Sequence, residues 1–263
     1  MKHSPLTTAL CTLLFCLACA SRSGSAPSGE AASRPDSFEL HFQPVDAATA
    51  NELEPVLREA LQQVERYFGT PFTAPFVVEI HPDRASFDAS FPPSWGIAQT
   101  ECWMVASGVA AGVQVLSPRV WKEQACEHDG ADERHVSELL THELVHVYHG
   151  QHNPSPDFTG VTGIDWFVEG LATLASGQLA HEHAGAAREA LARGAGPTSL
   201  ATAWTGRQRY GVCGSLVEFV EQQLGRDRVI QMLGATSAEE LMDIAGMDER
   251  ELLERWRAAV LAK

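Results

Sequence analysis

The stretch Ser137-Glu-Leu-Leu-Thr-His-Glu-Leu-Val-His-Val-Tyr-His149 carries the strongest signal in the chain. Its apolar residues recur at the spacing of one helix face, and the segment starts among polar residues and ends at a glycine. It therefore predicts a helix over residues 132–150. Within that helix, His142, Glu143 and His146 form the pattern H-E-x-x-H. Residues four apart share a helix face, so both imidazoles can bind one metal ion while the carboxylate points toward its water.

A catalytic metal site of this kind needs a third protein ligand and an open position for water. Glu169 is one candidate, because it lies in the apolar segment Ile164-Asp-Trp-Phe-Val-Glu-Gly-Leu-Ala-Thr-Leu-Ala175, where burying an acid is costly without a cation or metal beside it. His152 is the rival, because with the two helix histidines it matches the ligand spacing of H-E-x-x-H-x-x-G-x-x-H. That pattern needs a glycine at the position of His149, so Glu169 is favoured.

His149 lies on the ligand face of the predicted helix but a further turn along its axis, too far away for the same tetrahedron. Two roles stay open for it, a polar wall of a cleft or a cation near the helix C-terminus. For the helix as a whole, the competing interpretation is a histidine-rich amphipathic helix that binds nothing.

The segment His142-Glu-Leu-Val-His146, followed by Trp166-Phe-Val-Glu-Gly-Leu-Ala172, resembles the gluzincin metallopeptidases, the thermolysin-like and peptidase MA-like group with the signature W-F-x-E-G-x-A. The resemblance spans residues 136–224. It implies a zincin-type helical catalytic domain with one catalytic Zn²⁺ ion. Its ligands would be the two histidines and Glu169, and Glu143 would be the general base.

One position departs from the gluzincin pattern. Some gluzincins place an acid four residues after the glutamate ligand to orient the first histidine, and here that position is Thr173. A different residue must then fix the tautomer of His142. Asp165, Asp157 and Glu138 are candidates for this role, without a ranking among them.

Hydrolysis at such a site produces an oxyanion that needs a hydrogen-bond donor in addition to the metal. Tyr210, within Arg207-Gln-Arg-Tyr-Gly-Val-Cys-Gly214, resembles the tyrosine that precedes the next helix in peptidase MA-like proteins. Its flanking glycines permit a close approach of the backbone to a cleft. As an isolated aromatic residue at a helix start, Tyr210 fits a packing role equally well.

The rest of the chain predicts strands first and helices after them. The expected strands are Phe38–Phe42, 75–81, 103–106 and Gly112–Leu116, and the expected helices besides those of the site are Ala47–Phe68, Arg84–Ala89, 215–224, 226–233, Ala238–Ala245 and 249–261. This order predicts an α+β fold, with a small, mainly antiparallel N-terminal sheet packed on the helical part. Residues 36–263 are long enough for one domain and do not demand two.

The N-terminal segment predicts export. Residues 1–18 combine Lys2 with an apolar run and are typical of a secretory signal peptide. Cys16-Leu-Ala-Cys19 resembles a bacterial lipobox, which favours a cell-envelope lipoprotein with a lipid on Cys19 and a flexible tether over residues 19–35. Cleavage after Ala20 is the alternative, and it would give a soluble periplasmic or secreted protein.

The three cysteines beyond the tether are Cys102, Cys126 and Cys213. An oxidising compartment favours a bridge between Cys102 and Cys126 with Cys213 as a buried thiol, although the other pairings and three unpaired thiols stay open.

The acidic composition limits the classes of partner that the protein is expected to bind. A net charge of −15 argues against binding to nucleic acid or to anionic membrane surfaces. The expected partner is a peptide or protein substrate, and membrane contact is expected only through the lipid on Cys19. The sequence leaves the oligomeric state and the cleavage specificity open.

Two classes of function therefore compete. The favoured one is an exported zinc metallopeptidase in which Glu143 takes a proton from zinc-bound water. The other is a non-catalytic zinc-binding envelope protein of the same fold. Glu143 favours the enzyme, because a structural metal site has no need of a base. A metzincin-like peptidase that uses His152 is the third alternative.

Overall fold

The structure, a computed structural model, describes residues 37–262. The signal peptide, the lipobox with Cys19 and the tether predicted for residues 1–35 lie outside this part of the chain. Within it, no helix is both long enough and apolar enough to cross a lipid bilayer.

Residues 37–262 form four β-strands and eleven α-helices, so the expected mixture of sheet and helix is confirmed. The strands are β1 (Phe38–Phe42), β2 (Phe76–His81), β3 (Ala106–Val109) and β4 (Gly112–Leu116). The helices are α1 (Ala47–Phe68), α2 (Arg84–Ala89), α3 (Trp121–Gln124), α4 (Glu133–His152), α5 (Asp165–Ser176), α6 (Gln178–His181), α7 (Ala186–Ala192), α8 (Arg209–Leu224), α9 (Arg226–Met232), α10 (Ala238–Ala245) and α11 (Glu249–Ala262).

The sheet is mainly parallel, so the predicted mainly antiparallel sheet is wrong. Its strand order is β1-β2-β4-β3, with β1 and β4 both parallel to β2, and only β3 runs antiparallel, against β4. For β1 and β2, the reason is the 22-residue helix α1 between them. A helical crossover returns the chain to the end of the sheet where the first strand began, and the next strand is then parallel to it.

Strand β3 begins three residues later than the segment 103–106 predicted. The backbone carbonyls of Trp103 and Met104 bond to side chains instead of a neighbouring strand. The carbonyl of Trp103 accepts a hydrogen bond from the ring of His128, and the carbonyl of Met104 accepts one from Arg84. A disulfide between Cys102 and Cys126 ties the same segment to the loop after α3, which confirms the favoured pairing. Cys213 is free and buried.

Helix α4 is the centre of the described chain. It packs against α1, α5, β3 and β4, and its residues from Glu138 to Gly150 are all buried. The carboxylate of Asp132 caps its first turn by accepting from the backbone N–H groups of Arg134 and His135, at 3.0 and 3.1 Å. A helix buried on all sides is normally apolar. The buried His142, Glu143, His146 and His149 therefore each need a partner or a neutral state, because an unpaired buried charge is costly.

Candidate metal centre

Helices α4 and α5 bring together His142, His146 and Glu169. The Nε2 atoms of His142 and His146 lie 3.4 and 3.8 Å from Oε2 of Glu169, and one donor atom from each residue lies within 4.8 Å of the others. Donors about 2.0–2.2 Å from one tetrahedral ion lie roughly 3.4 Å apart. The group could therefore hold a metal ion.

The hydrogen bond of His142 fixes which ring nitrogen faces Glu169. Nδ1 of His142 lies 2.8 Å from Oε1 of Gln178, and because an amide oxygen only accepts, Nδ1 is the donor. In the neutral ring, Nε2 then presents its lone pair toward the carboxylate of Glu169. Two such electron-rich atoms need a cation between them, either a proton or a metal ion.

The residue that orients His142 is thus Gln178, and none of the three acids proposed from the sequence does so. Glu138 is bonded to His181 instead, and the hydroxyl of Thr173 donates to the backbone carbonyl of Glu169 at 2.8 Å. Gln178 is the first residue of α6, which follows α5 directly through Gly177 in the left-handed region (φ 97°). The sharp turn that brings Gln178 over His142 depends on a conformation that favours glycine.

Burial and neighbouring charges set the protonation of the three candidate ligands. Burial lowers the pKa of His146 to about 4, so its imidazole is neutral, which is the form that binds metals. Burial acts to raise the pKa of Glu169, but His146 and His142 outweigh it and hold the pKa below its ordinary value. Burial also acts to lower the pKa of His142, but Glu169 and Glu143 raise it more. Glu169 is therefore ionised and supplies the negative charge of the group.

Glu143 lies beside the three candidate ligands and is not one of them. Its side chain lines the same cavity as His142, a cleft of about 670 Å³. Burial raises the pKa of Glu143 to about 7, with Glu169 adding to the rise and His142 opposing it. A carboxyl group with a pKa near neutrality can both take and return a proton. A bound metal ion would oppose this rise through its positive charge.

Gly108 lets strand β3 lie against helix α4. A Cβ atom at this position would be 2.3 Å from the backbone oxygen of Glu143 and 3.1 Å from Cβ of His146. Any side chain would force the strand and α4 apart. Sequence reasoning missed this contact, although a glycine inside a strand is a signal for close approach of another backbone.

We expect Gly108→Ala to lower the free energy of unfolding by about 1–3 kcal/mol, because overpacking a filled interface displaces backbone. Metal affinity should fall with it, since the displaced strand faces both Glu143 and His146. Denaturant unfolding and a metal titration measure the two effects. Gly234→Ala is the matched control, because nothing lies within 4 Å of its Cβ position and its φ is not positive. Equal stability of the two variants would contradict this account.

Tyr210 reaches the same cavity from α8, which begins six residues earlier than predicted. Its ring centroid lies 6.0 Å from that of His142, and its ring stacks on His183 at 5.5 Å. Burial and the charge of Glu169 raise the pKa of Tyr210, so its phenol keeps its proton. Tyr210 therefore offers a hydrogen-bond donor beside the candidate metal ligands.

His152 is not part of the metal-ligand group. Its ring stacks on Tyr148 at 4.3 Å, and Nδ1 donates to the backbone carbonyl of Tyr148 at 2.8 Å. Helix α4 continues to His152 itself, past the glycine where the sequence predicted its end. The ring of His152, the rival third ligand, therefore contacts a residue of α4 itself and not the candidate metal ligands.

His149 is neither a wall of the cleft nor a cation, so both roles proposed for it are wrong. It is fully buried, with its ring 5.0 Å from Phe158 and 5.7 Å from Phe167. Burial lowers its pKa to about 3, and the ring is neutral. Because α4 continues to His152, His149 packs in the core against α5 and does not lie at a helix end open to solvent.

A chain of polar groups that the sequence did not suggest lies on the wall of the cavity. Nε2 of His128 donates to the carbonyl of Trp103 at 2.7 Å, so Nδ1 of a neutral His128 must accept. Nε2 of His135 lies 2.7 Å from that Nδ1, and Nδ1 of His135 lies 2.8 Å from Oε1 of Glu182. His135 must donate at both nitrogens and is therefore an imidazolium ion paired with Glu182.

The pKa values of His128 and His135 should be shifted in opposite directions. Glu182 raises the pKa of His135, while burial lowers that of His128. We expect NMR titration to give a pKa above 6.5 for His135 and below 6.5 for His128. The stability that His135 contributes is then fully present below pH 6.5 and is lost as the pH rises through its raised pKa. A higher pKa for His128 than for His135 would contradict the assigned proton positions.

Fold and site together define a mixed α/β chain that carries a two-histidine, one-glutamate group able to hold a metal ion. No protein-family model matches the chain, and no curated protein matches it. The argument for function therefore rests on the site residues and their geometry.

Proposed function

We propose that this protein is a zinc-dependent peptidase. The observation that carries the proposal is the group of His142, His146 and Glu169, of which His142 lines the same cavity as Glu143. Two imidazoles and a carboxylate are the protein donors typical of catalytic zinc, which keeps its fourth position for water. The neutral His146, the ring of His142 held by Gln178 and the ionised Glu169 all fit such an ion.

In the proposed reaction, His142, His146 and Glu169 would hold a zinc ion, which would supply Lewis acidity toward water and the substrate carbonyl. The carboxylate of Glu143 takes a proton from the attacking water and returns it to the leaving amine. Gln178 keeps the ring of His142 in the tautomer that leaves Nε2 free. The phenol of Tyr210 donates a hydrogen bond to the developing oxyanion.

The edge strand β3 supports a peptide as the substrate. Among residues 37–262, β3 pairs with β4 only, so no other strand occupies its second edge. Ala106 of β3 lines the cavity together with Glu143. An extended peptide can pair with an open strand edge through its backbone, which gives affinity without a fixed side-chain sequence.

The location of the enzyme follows from the predicted signal peptide and lipobox. Export, with a lipid on Cys19 and a tether over residues 19–35, would keep the catalytic domain near an envelope membrane. A soluble periplasmic or secreted form is the alternative for this part of the proposal.

A mixed peptide library analysed by mass spectrometry tests the proposed activity. We expect new cleavage products, their loss when a chelator is added and their return with zinc. The competing function is a non-catalytic zinc-binding protein of the same fold. Stoichiometric zinc without any cleavage of the library would favour that function and contradict the peptidase.

A further inference from the structure

Arg209 is held at the cleft by aromatic rings. Its guanidinium carbon lies 4.8 Å from the ring centroid of Trp103, 5.2 Å from that of Trp204 and 5.0 Å from that of Tyr210. Cation–π contacts of this kind fix the position of a guanidinium group without neutralising its charge. Three different segments of the chain supply these rings, so the position depends on the folded cleft.

This cation has no acidic partner of its own. Among residues 37–262, Arg209 forms no ion pair, whereas Arg193 on the wall of the same cavity pairs with Glu189. The charge of Arg209 helps to lower the pKa of Glu169, but the carboxylate of Glu169 is already engaged by both candidate histidine ligands. The chain has 34 acidic residues against 19 lysines and arginines, yet among residues 37–262 neither Arg209 nor Arg207, which lines the same cavity, pairs with an acid.

The guanidinium group is suited to a planar anion. It presents five N–H donors in a rigid fork that matches the two oxygens of a carboxylate. Arg209 lines the same cavity as Glu143, and its neighbour Tyr210 lies beside His142. An anion bound to Arg209 would therefore lie close to the reacting bond of a substrate.

We propose that Arg209 selects substrates that carry a carboxylate next to the scissile bond. The inference rests on the proposed peptidase function and names its substrate class. The carboxylate has two sources in a peptide, an aspartate or glutamate side chain and the C-terminal carboxylate. Both present the same planar anion, and matched peptides separate them.

The test compares kcat/KM for two pairs of peptides, one pair with glutamate or glutamine beside the cleaved bond and one with a C-terminal acid or amide. We expect the wild-type protein to prefer the acid in at least one pair by about 10-fold to 100-fold, the range of a charge-assisted hydrogen bond. The pair that shows the preference identifies the source of the carboxylate. In Arg209→Gln, the ratio should fall to about 1.

Arg250→Gln is the matched control for the loss of one positive charge. Arg250 lies on α11 with 77% of its side chain exposed, and it does not line the cavity. The control should keep the wild-type preference. A wild-type ratio of about 1 in both pairs, or a preference that survives in Arg209→Gln, would overturn the proposal.

Binding measured without turnover separates this inference from the proposed activity. In Glu143→Gln, calorimetry with the same peptides should show tighter binding of the acid form. Adding Arg209→Gln should remove that difference, and adding Arg209→Lys should keep part of it. If the wild-type protein cleaves no peptide but this difference is present, the peptidase fails and Arg209 stands as an anion-binding residue. If the difference is absent, the role of Arg209 fails.

Discussion

Glu143→Gln should lower kcat/KM for peptide hydrolysis by a factor of about 10²–10⁴ and leave the content of bound zinc unchanged, because general base catalysis contributes on that order. The amide has nearly the same volume as the carboxyl group but cannot accept a proton from water. Glu143 is also outside the group of candidate ligands, so its loss leaves all three donors in place. Steady-state kinetics beside elemental analysis of the same sample measures both quantities.

Glu138→Gln is the matched control for this prediction. Glu138 is a second buried acid on α4, but it bonds to His181 and does not line the cavity. We expect this variant to retain most of the turnover. Unchanged turnover in a zinc-loaded Glu143→Gln protein would exclude Glu143 as the base.

Glu169→Gln should weaken zinc binding by more than about 100-fold. Loss of a residue that only supports a metal ligand weakens binding by roughly 10- to 100-fold, and here a ligand itself is lost. The substitution removes the negative charge that faces both His142 and His146. Competition with a chromophoric chelator measures the affinity directly. Hydrolysis at limiting zinc should fall in parallel.

His152→Ala provides the comparison, because His152 was the rival third ligand. Its ring stacks on Tyr148 and bonds to the carbonyl of the same residue, away from the candidate ligands. We expect the zinc affinity of this variant to equal that of the wild type. If His152→Ala lost zinc and Glu169→Gln kept it, the metzincin-like alternative would replace the present assignment.

The residues at the centre of the site could be predicted because helical spacing is a local property. His142 and His146 share a face wherever that helix forms, and an acid in an apolar helix such as Glu169 needs a positive partner in any fold. The structure brings these three residues together as the pattern predicts. Helix α1, with its buried stripe and its end at Gly69, was predictable for the same reason.

The contacts around the site could not be predicted, because they join segments far apart in sequence. Gln178 reaches His142 through the turn after α5, and Gly108 meets α4 through the hairpin. Hydropathy at these positions carries no sign of such pairings. The predicted strand directions were wrong for a related reason. Sequence patterns identify strands, whereas the helical connection between two strands decides whether they run parallel.

The polar chain from His128 through His135 to Glu182 shows the same limit. The sequence pattern suggests no role for these three residues, and only the fold brings them into hydrogen-bonding distance. Arg209 became notable only after its three aromatic neighbours were placed around it.

Anomalous diffraction at the zinc absorption edge, from crystals of the protein purified with zinc, tests the central claim most directly. The account predicts one peak about 2.0–2.2 Å from Nε2 of His142, Nε2 of His146 and the carboxylate of Glu169, with Glu143 not bonded to it. The absence of a peak at this position, or a peak bound by His152 in place of Glu169, would contradict it.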